Sequence, residues 1–273
     1  MGQEARRGRS GVTTEEVSNV LLDVSGLSLR FGGLMAVSDV SFSIPHGSLN
    51  GLIGPNGAGK TSVFNCISGF YSPTGGAVRF RGENITRFKP YTIAQRGLRR
   101  TFQNLRLFPE LSVVENVLTG AHTRSDAKLW RVIPNVASYR RGEQELADEA
   151  HHWLEWVGIE QYRDAPARDL PYGVQKRLEI ARALIARPTL LLLDEPAAGL
   201  NTFERKELQQ LIREVNGLNI AVLMIEHDME LVMSLSEQVI VLDYGKKIAS
   251  GPPDLVQNDP AVVRAYLGGD TDE

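Results

Sequence analysis

The sequence predicts an α/β protein, with a mixed parallel core sheet covered by helices, a small antiparallel β subdomain and an inserted helical subdomain. Three observations carry this expectation. Beyond Lys60, short apolar runs alternate with stretches of helical spacing, the strand, helix, strand rhythm of a parallel sheet. From Val20 to about Ile53 the pattern shortens to strand-like alternation, with turn signals at Gly26, Gly32-Gly33 and Pro45-His46-Gly47. Between about Leu111 and Asp169 no strand signal occurs, while Glu143 to Val157 keeps helical spacing with Trp153 and Trp156 near one face.

Taken in order, residues 1–19 place three arginines in the first nine positions, show no apolar period and read as a solvated tail. The folded domain is expected over 20–268, with its helical subdomain at about 95–175 and a short tail at 269–273. Val20 to about Ile53 supplies the small sheet, and Ala77-Val78-Arg79-Phe80 joins it. Thr61 to Ile67 is a helix stopped by Gly69. Leu190 to Leu193 is a strand buried on both faces, Phe203 to Val215 a helix, and Ile220 to Ile225 and Val239 to Leu242 two further strands. Trp153 and Trp156 read as core. The Lys128 to Arg141 segment, with Trp130 and Tyr139, reads as a solvated helix or loop that could also touch a membrane partner.

Composition excludes several classes. Thirty lysines and arginines against 33 aspartates and glutamates leave a formal charge of −3, which argues against a chain that lives on neutralising nucleic-acid phosphates. Apolar runs such as Leu190 to Leu193 fall far short of the roughly 18 residues that span a bilayer. Cys66 is the only cysteine, so no internal disulfide or multi-cysteine metal site can form. No apolar signal-peptide core follows the basic start, and Arg6 stands where a myristoylation signal needs Ser or Thr. The setting these features predict is cytoplasmic.

Gly54-Pro55-Asn56-Gly57-Ala58-Gly59-Lys60-Thr61 matches the phosphate-binding loop at every specified position. It follows the apolar strand end Leu52-Ile53 and opens a helix. Its glycines let backbone N–H groups turn toward phosphate oxygens, and the helix N-terminus adds its positive dipole end. Lys60 would reach the β- and γ-phosphates and the Thr61 hydroxyl would complete a Mg²⁺ shell, with Ser62 grouped beside it as a nucleotide contact. Leu190-Leu191-Leu192-Leu193-Asp194-Glu195 is a buried strand ending in two carboxylates. On its own, that is also how an ordinary strand meets solvent. Beside a phosphate loop, Asp194 would hold the metal through its water shell and Glu195 would polarise an attacking water.

With these residues in place the sequence resembles the ABC-type ATPases, from about Val20 to Gly268. Phe31, the phosphate loop, Gln103, Leu170 to Gln175, Asp194-Glu195, Ala198 to Asn201 and His227 occur in that family's order and rough spacing. The resemblance implies an adenine-stacking aromatic at Phe31 and a metal-sensing, transporter-coupled glutamine at Gln103. It implies a signature loop whose Pro171, Tyr172 and Gly173 meet nucleotide across a dimer, a dimer-contact loop, and a switch histidine at His227. Phe31 could equally fill the small sheet, and a loop glutamine or strand-end histidine is often only solvated or packed. Finer motifs, among them Arg100-Thr101-Phe102-Gln103, Ile225-Glu226-His227-Asp228-Met229 and Ala265-Tyr266-Leu267-Gly268, resemble the LivG type, the ATP-binding subunit of branched-chain amino acid importers. That likeness implies ATP and Mg²⁺, a second ATPase subunit (LivF-like, or another copy of this chain), two membrane permeases and, indirectly, a solute-binding protein. It also implies a peripheral position on the cytoplasmic face of the inner membrane and no nucleic-acid partner.

Two positions depart from the family pattern. The signature, usually Leu-Ser-Gly-Gly-Gln, is Leu170-Pro171-Tyr172-Gly173-Val174 followed by Gln175, and Pro171 offers neither a hydroxyl nor an N–H. Asn201 replaces the usual Asp of the dimer-contact loop, as is common in the LivG type. Asn50, polar on the strand that feeds the phosphate loop, has no evident purpose in the sequence. Competing readings are an ABC ATPase for urea uptake or lipopolysaccharide export, and an ATP-binding regulatory subunit of weak turnover. A nucleic-acid or ribosome-acting ABC protein ranks below these, because the chain has one phosphate loop and no heptad run.

Overall fold

The computed structural model describes residues 19–103, 105–123 and 136–267, with side chains over 19–103, 105–122 and 142–266. The two tails and most of the Lys128 to Arg141 segment lie outside the described residues, and no side chain of that segment is described.

Two sheets organise the chain. Strands β1 (Val20–Phe31), β2 (Leu34–Pro45), β4 (Gly75–Phe80) and β5 (Glu83–Asn84) form a four-stranded antiparallel sheet in the order β2-β1-β4-β5. Ala77 to Phe80 joins the small sheet as expected, Leu22 pairing with Phe80 and Val24 with Val78. The second sheet has six strands: β3 (Leu49–Ile53), β6 (Leu98–Arg100), β7 (Leu190–Asp194), β8 (Ala221–Ile225), β9 (Gln238–Asp243) and β10 (Lys246–Gly251). Its order is β10-β9-β3-β8-β7-β6, parallel throughout except for the antiparallel edge strand β10.

Two boundaries differ from the sequence reading. Leu49 to Ile53 belongs to the parallel sheet and not to the antiparallel one, because all five residues are buried instead of alternating. Residues 98–100, which the expected insertion at about 95–175 included, form β6 beside β7 in the core sheet. A strand of three residues, two of them arginines, is too short to show a period.

Helices cover both faces of the core sheet. Along β7, Leu190 and Leu192 face the cluster shared with the antiparallel sheet and with α1 (Lys60–Ile67), while Leu191 and Leu193 face the cluster shared with the inserted helices. The insertion contains α3 (Val113–Gly120), which follows the short α2 (Pro90–Gln95), and α4 (Val136–Trp156). It returns to the core through α5 (Tyr172–Leu184). Trp153 and Trp156 stack edge-on at 5.7 Å and pack partly buried against the core. Ser112 and Glu115 cap α3 reciprocally, and the fully buried Asn116 side chain ties Phe108, Leu111 and Ser112 to that helix. The chain then continues through α6 (Thr202–Gly217), α7 (Met229–Leu235), α8 (Pro253–Gln257) and α9 (Pro260–Leu267).

Asn50 is buried on β3, its amide donating to Ser48 Oγ at 2.8 Å, while its Oδ1 has no hydrogen-bond partner among the described residues. The side chain therefore lies against the antiparallel sheet side of the core, on the same face as Leu52, and away from the chemistry below.

Candidate active site

Parallel strands end on the same side, so the loops leaving their C-terminal ends gather there. The phosphate loop leaves β3, Asp194-Glu195 leaves β7, His227 follows β8 and Gln103 follows β6. Because β3 pairs with β8 and β8 with β7, these residues are neighbours in space although up to 173 positions apart in sequence; Leu52, for instance, pairs with Ile225 across one strand boundary.

The loop geometry depends on glycine at two points. At Gly54 φ is +149° and a Cβ would sit 2.1 Å from the Leu242 carbonyl; at Gly59 φ is +97° and a Cβ would sit 2.6 Å from the Ala36 carbonyl. Neither site admits another residue without moving backbone. Lys60 begins α1 with its side chain folded back over the loop, Nζ donating to the carbonyls of Gly54 at 2.7 Å and Pro55 at 2.9 Å. Burial pushes its pKa down, and the charges of Glu195 and Asp194 push it back up. Thus the cation is positioned before any phosphate arrives.

Glu195 adopts a left-handed backbone at φ +48°, a strain of order 1 kcal/mol held by its N–H bond to the Ile225 carbonyl. Its carboxylate is gripped from both sides. His227 Nε2 lies 2.7 Å from Oε1, and the Gln103 amide donates to Oε2 at 2.7 Å. An imidazole Nε2 facing a carboxylate must carry its proton, so His227 acts here as a donor. Asp194 is held differently, by the Arg100 guanidinium on Oδ2 at 2.7 Å, and among the described residues its Oδ1 accepts no hydrogen bond. A carboxylate with one oxygen in reserve, the Thr61 hydroxyl and the Gln103 amide carbonyl are the hard oxygen donors that Mg²⁺ takes.

A cavity of about 450 Å³ runs beside these groups, lined by Phe31, Leu34, Met35, Asn56 to Ser62, Glu195, His227 and Tyr244. Phe31 is 46% exposed and its ring meets Tyr71 edge-on at 5.2 Å, so it borders the cavity and does not fill the small sheet. The cavity gathers Phe31, the loop from Asn56 through Lys60, Thr61, Ser62, Glu195 and His227, with Asp194 and Gln103 joined through their neighbours. Pro171, Tyr172 and Gly173 do not line it. They open α5, where Pro171 is the N-cap without a side-chain bond and the first helical hydrogen bond runs from Gln175 N–H to the Pro171 carbonyl. The Tyr172 ring packs on Gly199, where a Cβ would lie 3.0 Å from it. Asn201 caps α6, accepting from the N–H groups of Phe203 and Glu204.

Three residues that hold the site in place were given no role by the sequence reading, although Arg100 and Glu226 stand within motifs it names. Buried Glu226 accepts the N–H of Ala197 at 2.7 Å and of His227 at 3.2 Å, so it joins the loop that follows β7 to His227. Burial raises its pKa, and the two backbone donors oppose that rise. Glu179 of α5, its pKa also raised by burial, accepts the Phe102 N–H at 3.2 Å next to Gln103. Arg100 is the third.

Comparison with known proteins places this geometry. A family model described as ABC transporter matches residues 37–198, more than half of the chain. BraF of Pseudomonas aeruginosa, a high-affinity branched-chain amino acid transport ATP-binding protein, is 46% identical over 253 residues, covering 92% of this chain and 99% of that protein. The chain belongs to the ABC transporter family. LivG of Escherichia coli, of the same description, is equally 46% identical over 253 residues with the same coverage, and LptB of Haemophilus influenzae, a lipopolysaccharide export ATP-binding protein, is 32% identical over 248 residues, covering 91% and 97%. A second family model, described as Branched-chain amino acid ATP-binding cassette transporter, matches residues 246–272. The crystal structure of a nucleotide-free ATP-binding cassette from an ABC transporter superposes with a TM-score of 0.79 at 30% identity, covering 90% of this chain and 98% of that one. The ABC ATPase fold expected from the sequence is the one observed, and the chain is an ATPase of that family. Among the described residues no helix is long and apolar enough to cross a membrane.

Proposed function

We propose that this chain is the ATP-hydrolysing subunit of an importer for branched-chain amino acids, working at the cytoplasmic face of the membrane with two permeases and a second cassette. The observation that carries the reading is the 46% identity to BraF and LivG over nearly their whole length, against 32% to LptB. Reconstituting the chain with its permeases and solute-binding protein in vesicles tests it directly. ATP-dependent uptake of leucine, isoleucine or valine is expected; uptake of urea alone would refute the substrate.

In this reading the backbone N–H groups of Gly57 to Thr61 and the Lys60 ammonium bind the phosphates, and Phe31 stacks on adenine. Thr61, Gln103 and Asp194 would hold Mg²⁺, which when bound neutralises phosphate charge. Glu195 is the base for the attacking water. Both of its oxygens accept a hydrogen bond, His227 on one and Gln103 on the other, which fixes the plane of the carboxylate and leaves each oxygen a second lone pair for the proton of the water. The γ-phosphate is the natural competitor for the His227 N–H, so that donor is placed to move to it when nucleotide binds.

Coupling to the permeases follows from Gln103. The loop after it borders a groove of about 630 Å³ lined by Arg99, Arg106, Phe108, His122 and Arg182 around buried Glu179. Phe108 is 51% exposed, yet its backbone is pinned by Asn116, a rigid apolar contact offered to solvent. A cysteine at Pro109, which is exposed, is expected to crosslink to a permease, and one at Leu107, which packs partly on the core, to do so more weakly. Capture only from Asp254 would contradict this orientation.

The altered signature predicts unequal sites in a heterodimer. Pro171 contributes no donor, and loss of one hydrogen bond to a charged group costs about 1.5–3 kcal/mol, with the free helix end offsetting part of it. The Pro171 backbone (φ −55°, ψ 148°) accepts serine without strain. Pro171→Ser is expected to raise turnover at the partner cassette's site by about tenfold. Steady-state rates with each cassette's loop lysine disabled in turn read this out, and no change would mean that the helix end suffices.

A further inference from the structure

Arg100 ends the edge strand β6 with its side chain only 6% exposed. A guanidinium buried that far must be matched by specific partners, since desolvation of the charge is costly. Nη2 donates to Asp194 Oδ2 at 2.7 Å, and Nη1 donates to Asn65 Oδ1 at 2.7 Å and to Ser68 Oγ at 2.9 Å. Asn65 and Ser68 lie on α1 and at its C-cap, the helix that opens with Lys60. Around the same guanidinium stand the rings of Phe64, Phe70 and Phe102, their centroids 5.5, 5.8 and 5.1 Å from Cζ. Among the described residues Asp194 is the only carboxylate it pairs with. One planar group thus ties the phosphate-loop helix, the aromatic that precedes Gln103 and the Asp194 carboxylate together.

We propose that Arg100 is a positioning residue for Asp194, fixing the carboxylate through Oδ2, leaving Oδ1 for the metal's water shell, and by its charge holding down the site's affinity for a divalent cation. This rests on the reading of Asp194 as the metal-facing carboxylate. Fixing the geometry and setting the charge are separable, because lysine keeps the charge but its single ammonium cannot span Asn65, Ser68 and Asp194 as a guanidinium does. Arg100 also lines the groove beside Gln103, which places it between the proposed permease contact and the metal-facing carboxylate.

The test measures binding of the β,γ-imido analogue of ATP calorimetrically, with Mg²⁺ and with EDTA, in the wild-type chain and in Arg100→Lys and Arg100→Gln. Thermal unfolding serves as the check that each variant folds. The ratio of the two affinities reports the metal alone. Arg100→Gln should weaken binding in EDTA, since the nucleotide phosphates lose a nearby positive charge, and raise the Mg²⁺-dependent ratio at least about tenfold, a floor below the roughly 10²- to 10³-fold that one charge carries at about 4–6 Å in a medium of effective dielectric about 20. Arg100→Lys should keep the ratio within about twofold while the hydrolysis rate falls roughly tenfold, the share of misplaced geometry. An unchanged ratio in Arg100→Gln, or a fall in both variants, would overturn the proposal and leave Arg100 a packing residue. A wild-type chain whose analogue binding ignores Mg²⁺ would instead overturn the metal-facing reading of Asp194, and this proposal with it.

Discussion

Lys60→Ala is expected to weaken MgATP binding by roughly 10²- to 10⁴-fold, the loss of two charge-assisted hydrogen bonds at about 1.5–3 kcal/mol each. The expectation rests on where the ammonium sits. It already reaches the Gly54 and Pro55 carbonyls from the first turn of α1, only 5% exposed, so binding requires no search for the cation. Replacing it removes the mobile positive charge over the phosphates and also leaves those two carbonyls without that donor. Isothermal titration with MgATP measures the effect. Undiminished affinity would mean that the backbone N–H groups and the helix dipole hold the nucleotide alone. A milder control, Lys60→Arg, keeps the charge but places a larger planar group in a buried position, and it too should bind poorly.

Legibility in the sequence followed how local each feature is. The phosphate loop is one contiguous run whose glycines, lysine and threonine serve a single local structure, so it can be read without knowing what lies beside it. Asp194-Glu195 was legible for the same reason, as the polar end of a strand buried on both faces. Arg100, Glu179 and Glu226 were not, because each acts through partners that only sheet pairing or helix packing brings near. Arg100 meets Asp194 because β6 pairs with β7, and Glu226 meets Ala197 because β7 pairs with β8. The signal that could have found Glu226 is a carboxylate directly after five buried apolar residues, a position that demands hydrogen-bond partners. Misplacing Leu49 to Ile53 in the small sheet had a physical cause as well: an edge between two sheets is marked by loss of alternation, and the Pro45-His46-Gly47 turn alone does not say which sheet the next strand enters.

Glu195→Gln is expected to slow hydrolysis by roughly 10² to 10⁴ while leaving MgATP affinity within a few-fold, the separation that distinguishes a general base from a binding group. The local structure tolerates the change. A glutamine at 195 can accept from the Gln103 amide through its carbonyl and donate to His227 Nε2 in the other neutral tautomer, so both contacts of 2.7 Å have a counterpart. What disappears is the capacity to take a proton from water. Because binding persists without turnover, the variant should accumulate an ATP-dependent dimer with its partner cassette, visible by size-exclusion chromatography in the presence of MgATP and lost on its removal. His227→Ala supplies the contrast: it frees Oε1 of Glu195 but removes the donor proposed to move to the γ-phosphate, so its rate should fall while the carboxylate remains able to act. Parental turnover in Glu195→Gln, together with an inactive His227→Ala, would transfer the base to His227 and recast the 2.7 Å contact as a carboxylate orienting its imidazole.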